Sequence, residues 1–400
     1  MNKMKYIQFK DILALFKFFV ILIPALFFKV CHRRKFWIIC EDEYEARDNG
    51  YVFFKYMVDK HPDQKVFYAI NKNSHDYIEK LKNCKNVIKW GSFKHWLYYL
   101  ASDANISSQK GGKPNAAVCY LFEVKFSLLR TNRIFLQHGI TISDAKWLYY
   151  KETKMDLFIC AGKDEYEFIK EKFGYPENNL VLLGFPRFDN LNNDIRDNNI
   201  ILCMPSWRNW LGRKIHGKNN VENFEEFTDT IYFNKWNEFL TSSNLENMLE
   251  KYHKSLIFYP HRNMQKFISN FKTTSNRIII ANSNDYDVQT LLKTAGLLIT
   301  DYSSVFVDFA YMLKPVLFYQ FDYNMFRKYQ YQEGYFDYAN NPMGAAFYKL
   351  DNLLNHLDEK LKCDFTLDEE SIIKIKSFFG FIDQNNCFRI YKHLIGEKNE

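Results

Sequence analysis

The stretch Leu297-Leu298-Ile299-Thr300-Asp301-Tyr302-Ser303-Ser304-Val305-Phe306-Val307-Asp308-Phe309 decides how the chain folds. Leu297-Leu298-Ile299 reads as a buried strand, and Val305 onward reads as a helix with an apolar face. Between them stand Thr300, Asp301, Ser303 and Ser304, residue types that start helices and carry hydroxyl or carboxylate oxygens. Strand, polar turn and helix in that order put hydroxyls and free backbone N–H groups at the carboxyl edge of a sheet. Open α/β sheets bind ligands at that edge, and a helix start there suits a phosphate. A plain helix cap without a ligand uses the same residues, so this stretch speaks to fold first.

Outward from it, short apolar runs alternate with helical patterns. Strands are expected at Lys35–Cys40, Lys65–Ile70, Asn86–Trp90, Ile134–Gln137, Leu157–Ala161 and Leu180–Leu183. A second set is expected at Ile200–Met204, Leu256–Tyr259, Arg277–Ala281, Leu297–Thr300 and Val316–Tyr319. Helical patterns fall between them, among others at Glu43–Lys60, Ser74–Lys82, Lys163–Phe173 and Ser304–Met312. Such alternation predicts parallel sheets with helices on both faces. The polar run Asn190–Asn199 reads as a linker dividing the strands into two groups. The expected fold is therefore α/β, with two doubly wound domains facing a cleft, at 36–190 and 191–400. The last helix is free to cross back to the first domain.

Residues 1–35 form a separate hydrophobic and basic segment. Phe18 to Phe28 runs without a charge, preceded by Lys3, Lys5 and Lys10 and followed by His32-Arg33-Arg34-Lys35. No small-residue cleavage site follows, as a secretory signal would require. Lys17 and Lys29 leave fewer than the roughly 20 apolar residues a spanning helix needs. The favoured expectation is an interfacial helix with its basic flanks on anionic lipid; the alternative is a buried helix of the first domain.

Composition is that of a folded protein, 47% hydrophobic and 25% charged, with net charge +7. The charge suits an anionic membrane surface or phosphorylated substrates, and no basic run is long enough to track a nucleic-acid backbone. The eight cysteines lack any CxxC pair or zinc-finger spacing, which fits a reducing cytoplasm.

Four motifs follow strand ends. Gln137-His138-Gly139 presents a His whose ordinary pKa suits a general base. Pro205-Ser206-Trp207-Arg208 offers a guanidinium that can fork onto phosphate oxygens, with Trp207 as support. Tyr259-Pro260-His261-Arg262 and Thr300-Asp301-Tyr302-Ser303-Ser304 occupy the same topological position. Each motif alone suits a structural role; four at one edge point to a shared cleft.

The order of these motifs, with Gly184-Phe185-Pro186-Arg187-Phe188-Asp189, Asp287-Val288-Gln289 and Glu45-Ala46-Arg47-Asp48-Asn49-Gly50-Tyr51, resembles the CDP-glycerol glycerophosphotransferase family. Its members build teichoic acids and related phosphate-linked capsules. The likeness covers roughly residues 36–390. The chain has Gly139-Ile140 where many members read Gly-Thr, and Pro205-Ser206 where Pro-Thr is more usual.

The resemblance implies a GT-B architecture of two Rossmann-like domains and a reaction without metal or other cofactor. Polyol phosphate, glycerol phosphate first, would pass from a CDP-activated donor to a hydroxyl of a lipid-linked or oligosaccharide acceptor at the cytoplasmic membrane surface. His138 would be the base, His261 a second catalytic group. Arg208, Thr300, Ser303 and Ser304 would bind the donor phosphates. Asp301 and Asp308 would meet the ribose or cytidine or serve structure, and Gly139 and Arg187 would line the cleft, unless Arg187 pairs with Asp189. Asp285-Tyr286-Asp287 matches a metal-binding Asp-x-Asp pattern, but acids at a helix start explain it as well. The rival expectations are a nucleotide-sugar transferase of the same architecture and a non-catalytic membrane-bound assembly protein.

Overall fold

A computed structural model describes residues 8–31, 35–129, 131–191, 195–211, 226–283, 285–341 and 343–397. The basic flanks Lys3, Lys5, His32, Arg33 and Arg34 and the linker positions Asn192, Asn193 and Asp194 lie outside the described residues. The chain divides into two compact units. One comprises Met1–Ile140, Lys146–Asn190 and Gly380–Glu400, the other Thr141–Ala145 and Leu191–Phe379.

The first unit holds seven parallel strands: β1 (Phe36–Cys40), β2 (Lys65–Ile70), β3 (Val87–Lys89), β4 (Ala104–Ser107), β5 (Arg133–Phe135), β6 (Leu157–Cys160) and β7 (Leu180–Leu182). Their order is β3-β2-β1-β4-β5-β6-β7. β1 is buried along its whole length, as a parallel strand covered on both faces must be. Strand order reverses between β1 and β4, the position at which open α/β sheets bind ligands beyond their carboxyl ends.

The second unit repeats the plan with β8 (Asp197–Met204), β9 (Ser255–Phe258), β10 (Ile278–Ile280), β11 (Ala295–Thr300), β12 (Val316–Tyr319) and β13 (Gly344–Phe347), in the order β10-β9-β8-β11-β12-β13. Its switch point lies between β8 and β11, where Thr300 pairs with Met204. The motifs Pro205–Arg208 and Asp301–Ser304 therefore leave the sheet side by side.

Several local expectations shift for physical reasons. Ala104-Asn105-Ile106-Ser107 and Gly344-Ala345-Ala346-Phe347 are strands without the β-branched, apolar pattern that marks one, so pairing with their neighbours decides them. β8 starts at Asp197, inside the expected linker. The helix expected from Glu43 begins at Asn49 as α2 (Asn49–Lys60). The backbone N–H groups of Arg47, Asp48 and Tyr51 are drawn to the Glu41 carboxylate, which closes the loop before the helix can start. At the other end of the chain, both Asp189 oxygens accept backbone N–H groups, from Asn386 and Cys387, at the start of the helix Asn386–Leu394.

The N-terminal helix α1 (Phe9–Cys31) packs on the first unit by one face. Phe18 stacks on Phe122 at 4.4 Å and meets Trp96, which belongs to α3 (Phe93–Ala101). The Lys17 ammonium donates to the Gly91 carbonyl at 2.8 Å, so this charge turns inward. Asp11 in the first turn accepts from Asn115, and Phe28 in the last packs on Phe36 and Tyr98. The opposite face leaves Phe9, Ile12, Phe16, Phe19, Ile23, Phe27 and Val30 exposed.

Candidate active site

In the first unit the residues gather around the carboxyl ends of β1 and β5. Gln137, the second residue beyond β5, is buried and left-handed, with φ +56°. That backbone is unfavourable for a residue with a Cβ by ~1–2 kcal/mol. The Gln137 amide holds it there by donating to the Ile159 carbonyl at 2.7 Å and to Glu165 at 3.0 Å. His138 follows and is exposed.

Three successive carbonyls of this turn are gripped. The Asn49 side-chain amide donates to Gln137 O at 2.8 Å and Leu136 O at 3.3 Å. Arg187 Nη1 donates to His138 O at 3.0 Å and to Asp48 Oδ1 at 2.8 Å, while the Arg187 backbone N–H donates to Asn49 Oδ1 at 3.0 Å. The motif around Asn49, the His-Gly turn and the Gly-Phe-Pro-Arg motif thus form one assembly. Arg187 is buried and pairs with Asp48.

Beneath it lies Glu41, 1% exposed. Burial and the neighbouring Asp48 carboxylate push its pKa up to about 8, against the opposing pull of the backbone N–H groups. Gly50 is required where α2 passes this carboxyl: a Cβ there would stand 2.9 Å from Glu41 Cγ.

In the second unit, Arg208 is 0% exposed. Its Nε and Nη2 donate to the two oxygens of Asp322 at 2.7 and 3.0 Å, and Nη2 pairs with Asp301 Oδ2 at 2.9 Å. Burial alone would lower its pKa; the two carboxylates reverse that and raise it. Asp301 also accepts the backbone N–H groups of Ser206 and Tyr302. The Thr300 hydroxyl donates to the Met204 carbonyl at 2.7 Å. Arg208 and Thr300, expected at the donor phosphates, both engage partners within the unit and tie the turns after β8, β11 and β12 together. Asp301 is a structural member of the same lock, and Asp308 is buried in the helix Val305–Tyr311.

Ser303, Ser304 and His261 stay half-buried at the edge. Ser304 makes no cap bond with its own helix. The His261 backbone N–H donates to the Pro205 carbonyl at 3.0 Å, and its Nδ1 accepts from the Asn263 N–H at 3.1 Å. With Nδ1 accepting, a neutral ring would carry its proton on Nε2 and could donate it. Trp207 lies beside it, with planes at 30° and centroids 6.3 Å apart. Asp287 caps the helix Val288–Thr294 by accepting from Thr290. Sequence reasoning assigned no role to Glu41, Asn49 or Asp322; only Asn49 stood in a quoted motif.

The family described as CDP-glycerol:poly(glycerophosphate) glycerophosphotransferase matches residues 23–396. The chain is 29% identical over 375 residues to the minor teichoic acid biosynthesis protein GgaB of Bacillus subtilis (strain 168), covering 92% of this chain and 40% of that protein. It is 26% identical over 231 residues to the teichoic acid glycerol-phosphate primase of the same strain, covering 54% of this chain and 52% of the primase. The chain thus spans about half or less of the length of these two curated relatives. The solved structure of the wall teichoic acid polymerase TagF superposes with a TM-score of 0.65 at 15% identity, over 97% of this chain and 98% of that one. That likeness concerns fold alone, and the fold is of GT-B type, with two Rossmann-like units.

Proposed function

Because the chain belongs to the CDP-glycerol:poly(glycerophosphate) glycerophosphotransferase family, we propose that it transfers glycerol phosphate from CDP-glycerol to a hydroxyl of a membrane-linked or saccharide acceptor. The observation that carries the reading is the exposed His138 on a strained turn whose carbonyls are gripped by Asn49 and Arg187. Strain held in place by converging side chains is a mark of a functional group kept in position.

The acceptor oxygen attacks the distal phosphorus of the donor. A new O–P bond forms, the bond to the CMP oxygen breaks, and the acceptor proton passes to the His138 imidazole. CMP leaves as an already acidic phosphate and needs charge stabilisation more than a proton. Ser303, Ser304 and the Nε2–H of His261 supply donors for that charge. The reaction as read uses no metal; Asp287, within the Asp-x-Asp pattern, is engaged as a helix cap.

The test is a panel of CDP-linked and UDP-linked donors with separate detection of nucleoside mono- and diphosphate. CMP from CDP-glycerol, dependent on acceptor, is expected. UDP from a nucleotide sugar with CDP-polyols inert would replace this reading with glycosyl transfer, and no turnover of any donor would favour an assembly role.

The same proposal sets the protein on the cytoplasmic face of the membrane, with α1 lying in the interface. Support comes from contacts of both helix ends with one unit, which keep a helix of about 34 Å from crossing a bilayer. Wild-type protein is expected to float with anionic vesicles, and Phe16→Asp with Ile23→Asp to abolish flotation while leaving the fold intact. Undiminished flotation of that double variant would refute the assignment.

A further inference from the structure

We propose that Arg327 is a cation that receives the diphosphate of the donor, an inference resting on the donor reading above. With Arg208 closed on two carboxylates, the diphosphate needs another positive partner. Arg327 lies on the helix Tyr323–Tyr329, directly after Asp322. Its Nε and Nη1 are buried without a hydrogen-bond partner, and among the described residues no carboxylate pairs with it. The residue is half-buried, but the shielded Nε–H and Nη1–H are unengaged, which is unfavourable until an acceptor takes them up.

Its surroundings place it beside the Tyr302-Ser303-Ser304 turn. Phe326, the preceding residue, stacks on Tyr302 with centroids 3.8 Å apart and planes at 11°. The Arg327 guanidinium lies over the Tyr323 and Tyr338 rings at 5.3 and 5.7 Å. Tyr338 in turn packs edge-on against Tyr302 and against Phe306. The two rings flank the guanidinium and leave Nε–H and Nη1–H as donors for phosphate oxygens. The ligand class is a nucleoside diphosphate or its ester, recognised through the phosphates and not the base.

Calorimetric titration of the full chain with CDP-glycerol, CDP and cytidine tests this. Arg327→Gln is expected to weaken CDP-glycerol and CDP by on the order of 10–100-fold with cytidine unchanged. Wild-type CDP affinity in that variant, or an equal loss for cytidine, overturns the proposal. Should Arg327→Gln fail to fold, Arg327→Lys, which keeps the charge without the fork, decides. A loss of roughly 3–10-fold for CDP alone supports the assignment, and wild-type CDP affinity overturns it. If the wild type ignores CDP-glycerol but binds UDP and a UDP-sugar, the donor reading fails. Arg327 is then judged by the same comparison between UDP and uridine.

Discussion

In an assay following CMP release, His138→Ala turns over ~10²–10⁴-fold more slowly than the wild type, the usual contribution of a positioned general base. CDP-glycerol binding is expected to stay close to wild type, because no donor-binding role falls to the imidazole. The side chain is exposed, so its removal opens no core cavity, and the melting temperature should hold. Asn49→Ala gives the diagnostic intermediate. It keeps the imidazole but releases the carbonyls of Leu136 and Gln137, so turnover falls by less than in His138→Ala while CDP-glycerol binding holds. A His138→Ala enzyme with unchanged turnover would remove the base from this mechanism.

Arg208→Met destabilises the protein by about 3–5 kcal/mol, the range for breaking a buried ion pair by deleting one partner. The magnitude follows from what is left behind. Asp301 and Asp322 are both buried, and without the guanidinium two carboxylates face each other away from water. Arg208→Lys keeps a charge but cannot bridge the paired oxygens of Asp322, so it should fall between the two. Denaturant unfolding read by tryptophan fluorescence measures the effect. Donor affinity in Arg208→Lys, taken where the variant is fully folded, separates the two roles considered for this residue. Wild-type stability with weakened donor binding would return Arg208 to the phosphates and refute its part in the lock.

The contrast between Arg208 and Arg327 shows what pattern reading reaches. Arg208 follows a strand in a Pro-Ser-Trp-Arg motif and invites a ligand role by position. Its fate depends on Asp322, 114 residues away, which no local pattern connects to it. Arg327 sits in an unremarked helix and becomes informative only because its neighbours are rings and not acids. The gripping of the His138 turn has the same character: Asn49 reaches across 88 positions to Gln137, and Arg187 across 139 to Asp48.

The α/β class, the two sets of parallel strands and the strand ends that carry the motifs were legible from the residues alone. Those features are written in local periodicity and in the residue types that start helices, and burial of apolar runs enforces them wherever the chain goes. Ala104–Ser107 and Gly344–Phe347 escaped because their strand state comes from partners, not from their own side chains. Which polar groups at those ends turn inward and which stay at the surface was settled by tertiary packing. That choice is electrostatic: a buried charge must find its counter-charge, and whether Asp301 and Asp322 or a phosphate supplies it depends on which turns the sheets bring together.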